Sequence, residues 1–197
     1  HPLIFRPLKR VVGADDVQRA VAKAIKHDIT ILSMHTNMDN AQGGVNFKMA
    51  EKMQLTGVKF FTEKQVDGIT CGSGVMGELP GAMAADDFIM MLKREFDVEC
   101  VQCNQLLRRP IRTVAICGGA GSFLLPEAIA AGADAFVTGE MHYHDYFAHE
   151  QEIQIAVIGH YQSEQYTYEI FKSIIEEQCE GVRCVVTSQN TNPIIYL

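Results

Sequence analysis

The sequence predicts a two-lobed α/β protein with mostly parallel sheets covered by helices. Short apolar runs alternate with segments whose apolar residues recur at i, i+3 and i+4, as strands and helices do in turn. Polar clusters follow several of the strand-like runs, as where parallel strands deliver side chains to one edge. At 197 residues, 47% of them hydrophobic, the chain can bury a core and form one large or two small lobes.

Gly13-Ala14-Asp15-Asp16 leads into a helix whose stripe is Val17, Ala20, Val21, Ala24 and Ile25, with acidic residues in its first turn. Ile29 to Ser33 reads as a short buried strand that delivers His35-Thr36-Asn37-Met38-Asp39. After Gly43-Gly44, Asn46 can cap a helix through Met53, and Val58 to Phe61 reads as another strand. Residues 65–81 are rich in glycine and read as a link between an N-terminal lobe, 1–64, and a C-terminal lobe, 82–197. In the latter, Asp86 and Asp87 start a helix through Phe96, and strands are expected at 98–101 and 112–117. The Gly118-Gly119-Ala120-Gly121-Ser122 turn feeds a helix ending near Gly132. Ala135 to Thr138 and Ile153 to Ile158 are strands, His144 to Glu150 a helical turn, Ser163 to Cys179 a long helix and Arg183 to Thr187 a last strand.

A net charge of −7 with scattered Lys and Arg argues against a nucleic-acid duplex as partner. No apolar run reaches the roughly 18 residues that span a bilayer. The six cysteines read as reduced thiols of a cytoplasmic protein, and Cys100-Val-Gln-Cys103 lacks the second ligand pair of a zinc finger. The Gly119-x-Gly121 turn has Leu124 where a dinucleotide loop has its third glycine, and no Gly-Lys-Ser/Thr follows. It can serve as a tight turn, or hold an anion on backbone N–H groups near Ser122.

Gly159-His160-Tyr161-Gln162-Ser163-Glu164 follows a strand and opens a helix. His160 and Glu164 are four apart, so their side chains share a face about 5–6 Å apart. Imidazole nitrogen and carboxylate oxygen suit a first-row divalent metal, although such a pair alone is commonly a surface pair. The other clusters strengthen the metal reading: His1, His35 with Asp39, and Glu140 with His142, His144 and Asp145 all sit where a sheet would gather them. His27 and His149 read as ordinary surface residues.

His1-Pro-Leu-Ile-Phe, His35-Thr-Asn-Met-Asp39, Gly43-Gly44-Val-Asn46, the Gly118 to Ser122 turn, Thr138-Gly139-Glu140 with Tyr143-His144-Asp145, and Gly159-His160-Tyr161 with Ser163-Glu164 occur in one order. Together they resemble the Nif-three-like family, homologs of a type 2 GTP cyclohydrolase I. The resemblance implies a two-lobed α/β subunit in a cytoplasmic toroidal hexamer, with two divalent ions (Zn, Fe, Mn, Mg or Ni). It implies that His1, Asp39 and Glu164 hold one ion and His160 with Glu164 the other, with Glu164 as the bridge. The family writes two adjacent histidines before Pro-Leu-Ile-Phe, and this chain keeps the second as His1. One ion is therefore expected to lack a ligand here, and a preceding strand and helix are expected to be missing. Long members carry an inserted domain where this chain has only the link near Gln65.

The expected function is metal-dependent hydrolysis of a nucleotide or phosphate ester, with His144 as the general acid or a supporting group. His35, Glu140, Gly119, Gly121 and Ser122 are expected to support the ions or the substrate. The alternative is a metal-binding scaffold or regulatory partner without turnover.

Overall fold

Asp15 begins the first helix by accepting the Gln18 N–H on its carboxylate at 2.8 Å, which satisfies one of the donors a helix start leaves open. The helix, α1 (Asp16–Lys26), ends with Lys23 and Lys26 in its last turn, where cations suit the helix dipole. The computed structural model describes residues 1–196 and divides into two compact units, His1–Met38 and Asp39–Leu197.

In the first unit the segment 29–33, expected as a buried strand, forms no strand. The Ile29 N–H returns to the Ala24 carbonyl at 2.9 Å, and Leu32 is 82% exposed. An apolar run becomes a strand only when a neighbour completes its ladder. His35 follows, its N–H donated to Asn37 Oδ1 at 2.7 Å, and the single-turn helix α2 (Thr36–Asp39) leads out of the unit.

The second unit is built on eight strands: β1 (Thr56–Phe60), β2 (Glu63–Val66), β3 (Ile69–Gly72), β4 (Val75–Met83), β5 (Gln102–Cys103), β6 (Ile111–Cys117), β7 (Ala135–Thr138) and β8 (Gln154–Val157). Its helices are α3 (Val45–Lys52), α4 (Ala85–Glu95), α5 (Leu125–Ala130), α6 (His160–Glu164) and α7 (Thr167–Gln178). Six strands form one sheet in the order β1-β4-β6-β7-β8-β5, and β2 with β3 form a separate hairpin.

The α/β class is as expected, but the sheet is mixed. Parallel pairing is confined to β6-β7-β8, in register from Val114 opposite Ala135 and Ala135 opposite Gln154. β1, β4 and β5 join it antiparallel. Alternation along the parallel strands supplies both cores. Val114, Ile116, Val137 and Ile158 face a layer containing Met49, Phe88, Leu92 and Phe96, while Ala115, Phe136, Ile155 and Val157 face Leu124, Leu125 and Ala128.

Several expected elements take another form. The glycine-rich stretch 65–81 carries β3 and most of β4, and Gly72, Gly74 and Gly77 sit where neighbours approach closely: a Cβ on Gly77 would lie 3.0 Å from the Thr56 carbonyl oxygen. The strand expected at 98–101 begins only at Gln102. The long helix over 163–179 is two helices, and the Thr167 hydroxyl donates to the Glu164 carbonyl at 2.6 Å where the first ends. No strand forms at 183–187. Asn46 does not cap α3; Gly44 holds that place, and Asn46 is buried inside the first turn.

Candidate functional site

The three parallel strands end together, and the residues after each end meet there. β6 ends in Gly118-Gly119, β7 in Gly139-Glu140, and β8 runs through Ile158 and Gly159 into α6, which starts at His160. The carboxyl edge of parallel strands is where α/β proteins gather ligands.

Glycine makes the convergence possible. A Cβ on Gly139 would lie 2.6 Å from the Gly119 carbonyl oxygen and 2.9 Å from His160 Cα, and one on Gly119 (φ +60°) would meet Glu164 Oε1 at 2.3 Å. No side chain fits at Gly139, and at Gly119 one would strain a left-handed backbone and displace the Glu164 carboxylate. Gly121 is packed the same way against Cys117, so the turn has a steric reason for its glycines. Ser122 opens a single 3-10 turn before the short helix α5. The Gly118 and Gly119 N–H groups are donated within the protein, to Asn46 Oδ1 at 2.8 Å and Ser163 Oγ at 2.9 Å, so they do not serve an anion.

His160 stands between two carboxylates. Its Nδ1 lies 2.7 Å from Glu140 Oε1 and its Nε2 3.4 Å from Glu164 Oε1. The hydrogen bond to Glu164 outweighs burial and, with the charge of Glu164 and the Glu140 contact, raises the His160 pKa to about 9. Asp39 acts on the same neighbourhood. Burial, then the charges of Asp39 and Glu164, push the Cys117 thiol up to about 12, so both carboxylates are felt at the end of β6. A cleft of about 310 Å³ opens beside Glu140, lined also by Gln102, Ser122, Met141 and His142. The roomier cavity, about 590 Å³, belongs to the first unit and is lined mainly by apolar side chains such as Leu3, Val21 and Ile25. The smaller cleft is the one that touches this chemistry.

The second unit thus brings together His160, Glu164, Glu140, Gly119 and Ser122, with Asp39 near Cys117. His144 is 78% exposed, its Nε2 3.5 Å from Asp145 Oδ1 and its ring stacked on His142 at 5.7 Å. His1 and His35 lie in the first unit, ring to ring at 4.8 Å with Phe5 stacked on His1. Among the described residues no three His, Cys, Asp or Glu side chains close into a metal-holding group. The donor set still fits a divalent cation: a ring nitrogen and a carboxylate oxygen face each other, and the other ring nitrogen rests on an outer carboxylate.

Asn46 and Ser163 are the site residues that sequence reasoning missed. Asn46 and Ser163 both looked like helix caps. Their partners across the sheet edge lie 72 and 44 positions away, and no local pattern encodes such distances.

A family model described as Duf34/NIF3 (NGG1p interacting factor 3) matches residues 1–193. A protein of Streptococcus pneumoniae serotype 4 named GTP cyclohydrolase 1 type 2 homolog is 32% identical over 73% of this chain and 54% of its own length. A protein of Clostridium perfringens with the same name is 28% identical over 100% of this chain and 76% of its own length. The matched region is thus about half the length of the first relative and three quarters of the second. The crystal structure of Staphylococcus aureus protein SA1388 superposes with a TM-score of 0.88 at 24% identity, covering 100% of this chain and 78% of that one, which is a likeness of fold.

Proposed function

The chain belongs to the Duf34/NIF3 family, and from that premise we propose that it is a metal-dependent hydrolase with a dinuclear metal centre, acting on a nucleotide or a phosphate ester. One observation carries the reading: His160 rests its Nδ1 on Glu140 and turns its Nε2 toward Glu164. Metal-binding histidines are held this way, with an outer carboxylate fixing the ring and its tautomer. His1, Asp39 and Glu164 would hold one ion and His160 with Glu164 the other, Glu164 bridging. Bound divalent ions supply Lewis-acid polarisation of a carbonyl or phosphoryl oxygen and make water acidic enough to ionise near neutral pH.

The remaining work falls to the chain's own groups. Glu140 orients the His160 ring. Gln102, Ser122 and His142 line the cleft beside Glu140 and offer hydrogen bonds to a substrate there. His144, exposed to solvent, can take or give a proton. The name GTP cyclohydrolase 1 type 2 homolog, borne by both relatives, supports a nucleotide. Assembly as a homo-oligomeric ring is part of the proposal, supported by the exposed apolar side chains of Phe123, Tyr143 and Phe147. So is a cytoplasmic setting, which six unpaired cysteines suit. No helix among the described residues is long and apolar enough to cross a membrane.

One observation favours a second reading, a metal-binding scaffold without turnover: the nominated proton carrier, His144, is largely exposed, paired with Asp145 and stacked on His142. Turnover decides between them. Metal-loaded wild type, offered GTP and 4-nitrophenyl phosphate, should hydrolyse at least one, and Glu164→Ala should lose about 100-fold of that activity. Equal rates in the two proteins, or none in wild type, would leave the scaffold.

A further inference from the structure

Two buried side chains outside the proposed ligand set share one design. Asn46 accepts the Gly118 N–H at 2.8 Å and donates its amide to the Asp39 carbonyl at 3.0 Å. Ser163 accepts the Gly119 N–H at 2.9 Å and donates its hydroxyl to the His160 carbonyl at 2.8 Å. Each is 1% exposed. Two successive peptide N–H groups at the end of β6 thus tie to two different segments, one bearing Asp39 and the other His160 and Glu164.

The chemistry fixes each orientation. Turning the Asn46 amide over would set NH₂ against the Gly118 N–H and oxygen against the Asp39 oxygen, losing both bonds. The Ser163 hydroxyl has one hydrogen, committed to His160, and its lone pairs are left for Gly119. Among the described residues no buried side-chain nitrogen or oxygen lacks a partner. The tie is also short. Glu164 directly follows Ser163, and its Oε1 lies 2.3 Å from where a Gly119 Cβ would be. Any shift of α6 against the β6 turn therefore moves both donor atoms.

We infer that Asn46 and Ser163 are positioning residues, which hold Asp39 on one side and His160 with Glu164 on the other at the spacing a divalent cation needs, using the Gly118–Gly119 turn as their common reference. The inference rests on the proposed reading of Asp39, His160 and Glu164 as ligands. Ligands must be held to about 0.5 Å by locked neighbours, and losing such a neighbour commonly costs about 10- to 100-fold in metal affinity.

Cobalt(II) tests it, because its visible absorption reports coordination geometry independently of turnover. The full chain, Asn46→Ala, Asn46→Asp, Ser163→Ala, Ser163→Thr and Glu164→Ala would be titrated with cobalt(II) against a chromophoric chelator, with urea unfolding of each metal-free protein. Phe88→Leu, in the core on α4, serves as a destabilised control. Asn46→Ala and Ser163→Ala should bind about 10- to 100-fold more weakly with altered absorption. Asn46→Asp keeps the acceptor but loses the donor to Asp39, so it should resemble Asn46→Ala. Ser163→Thr keeps the hydroxyl and should retain wild-type binding. Phe88→Leu should lose stability and leave affinity and absorption unchanged. Should Ser163→Ala not fold, Ser163→Cys, a weaker hydrogen-bonding group of similar size, carries the same comparison. Uptake lost in Glu164→Ala but unchanged in the Asn46 and Ser163 variants would overturn the positioning role and leave the ligand reading standing. A wild type that takes up no cobalt would overturn both.

Discussion

Glu140 and Gly119 limit what His160 and Glu164 can do, and each yields a test. Glu140 lines the cleft while one of its oxygens holds the His160 Nδ1. Glu140→Gln keeps the shape but removes the charge, so metal affinity should fall about 10-fold or more in a chelator competition; an unchanged affinity would show that Glu140 does not support the ring. At Gly119 a Cβ would press on Glu164 Oε1 from a backbone at φ +60°. Gly119→Ala should therefore cost at least about 1 kcal/mol in urea unfolding and weaken metal uptake as well. His160 with Glu164 was legible because four-residue spacing sets two side chains on one helical face. Glu140 was legible as a strand-end carboxylate, though its bond to His160 was not. Asn46 could not be read, since asparagine before a helical run looks like a cap whether its partner is the next turn or a strand end far along the chain.

At the level of elements, Asp134 ties the entry of β7 to that of β6. Its Oδ2 accepts the Arg112 and Thr113 N–H groups at 2.9 Å each, and Arg109 pairs with Oδ1. Burial acts to raise its pKa, but those N–H donors and the Arg109 guanidinium outweigh it, and the carboxyl titrates below the ordinary range. A depressed folded-state pKa gives stability that is present above the unfolded value, near 4, and lost as pH falls through the folded one. Unfolding free energy of wild type should thus drop below about pH 4. Asp134→Asn should be about 1–3 kcal/mol less stable at neutral pH and should lack that part of the acid slope. Equal slopes in both proteins would contradict this account of Asp134. The parallel strands were legible because 114–117, 135–137 and 155–158 are short buried apolar runs, although β6 also carries the exposed Arg112 and β8 opens on Gln154. β4 was not, because Gly74, Gly77 and Gly81 with Pro80 imitate a link. The run 29–33 failed in the opposite sense, being apolar enough for a strand yet without a ladder partner.

For the whole molecule, the α/β class could be read from alternation, whereas strand direction could not, because it depends on which edges β1, β4 and β5 join. Apolar side chains left on the described surface, among them Tyr143 and Phe147 in edge-to-face contact at 5.2 Å, make self-association the expected state. Sedimentation velocity at micromolar concentration should show a closed oligomer, and a monomer alone would contradict the ring. The central claim is that His160 and Glu164 are ligands, with Glu164 shared by two ions. The most direct measurement is the metal content per subunit of wild type, His160→Ala and Glu164→Gln, by native mass spectrometry after identical loading. A shared carboxylate neutralises two cations and an imidazole serves one, so Glu164→Gln should lose metal at both positions and His160→Ala mainly at one. Wild-type metal content in Glu164→Gln would contradict the account and leave His160 and Glu164 as a surface ion pair.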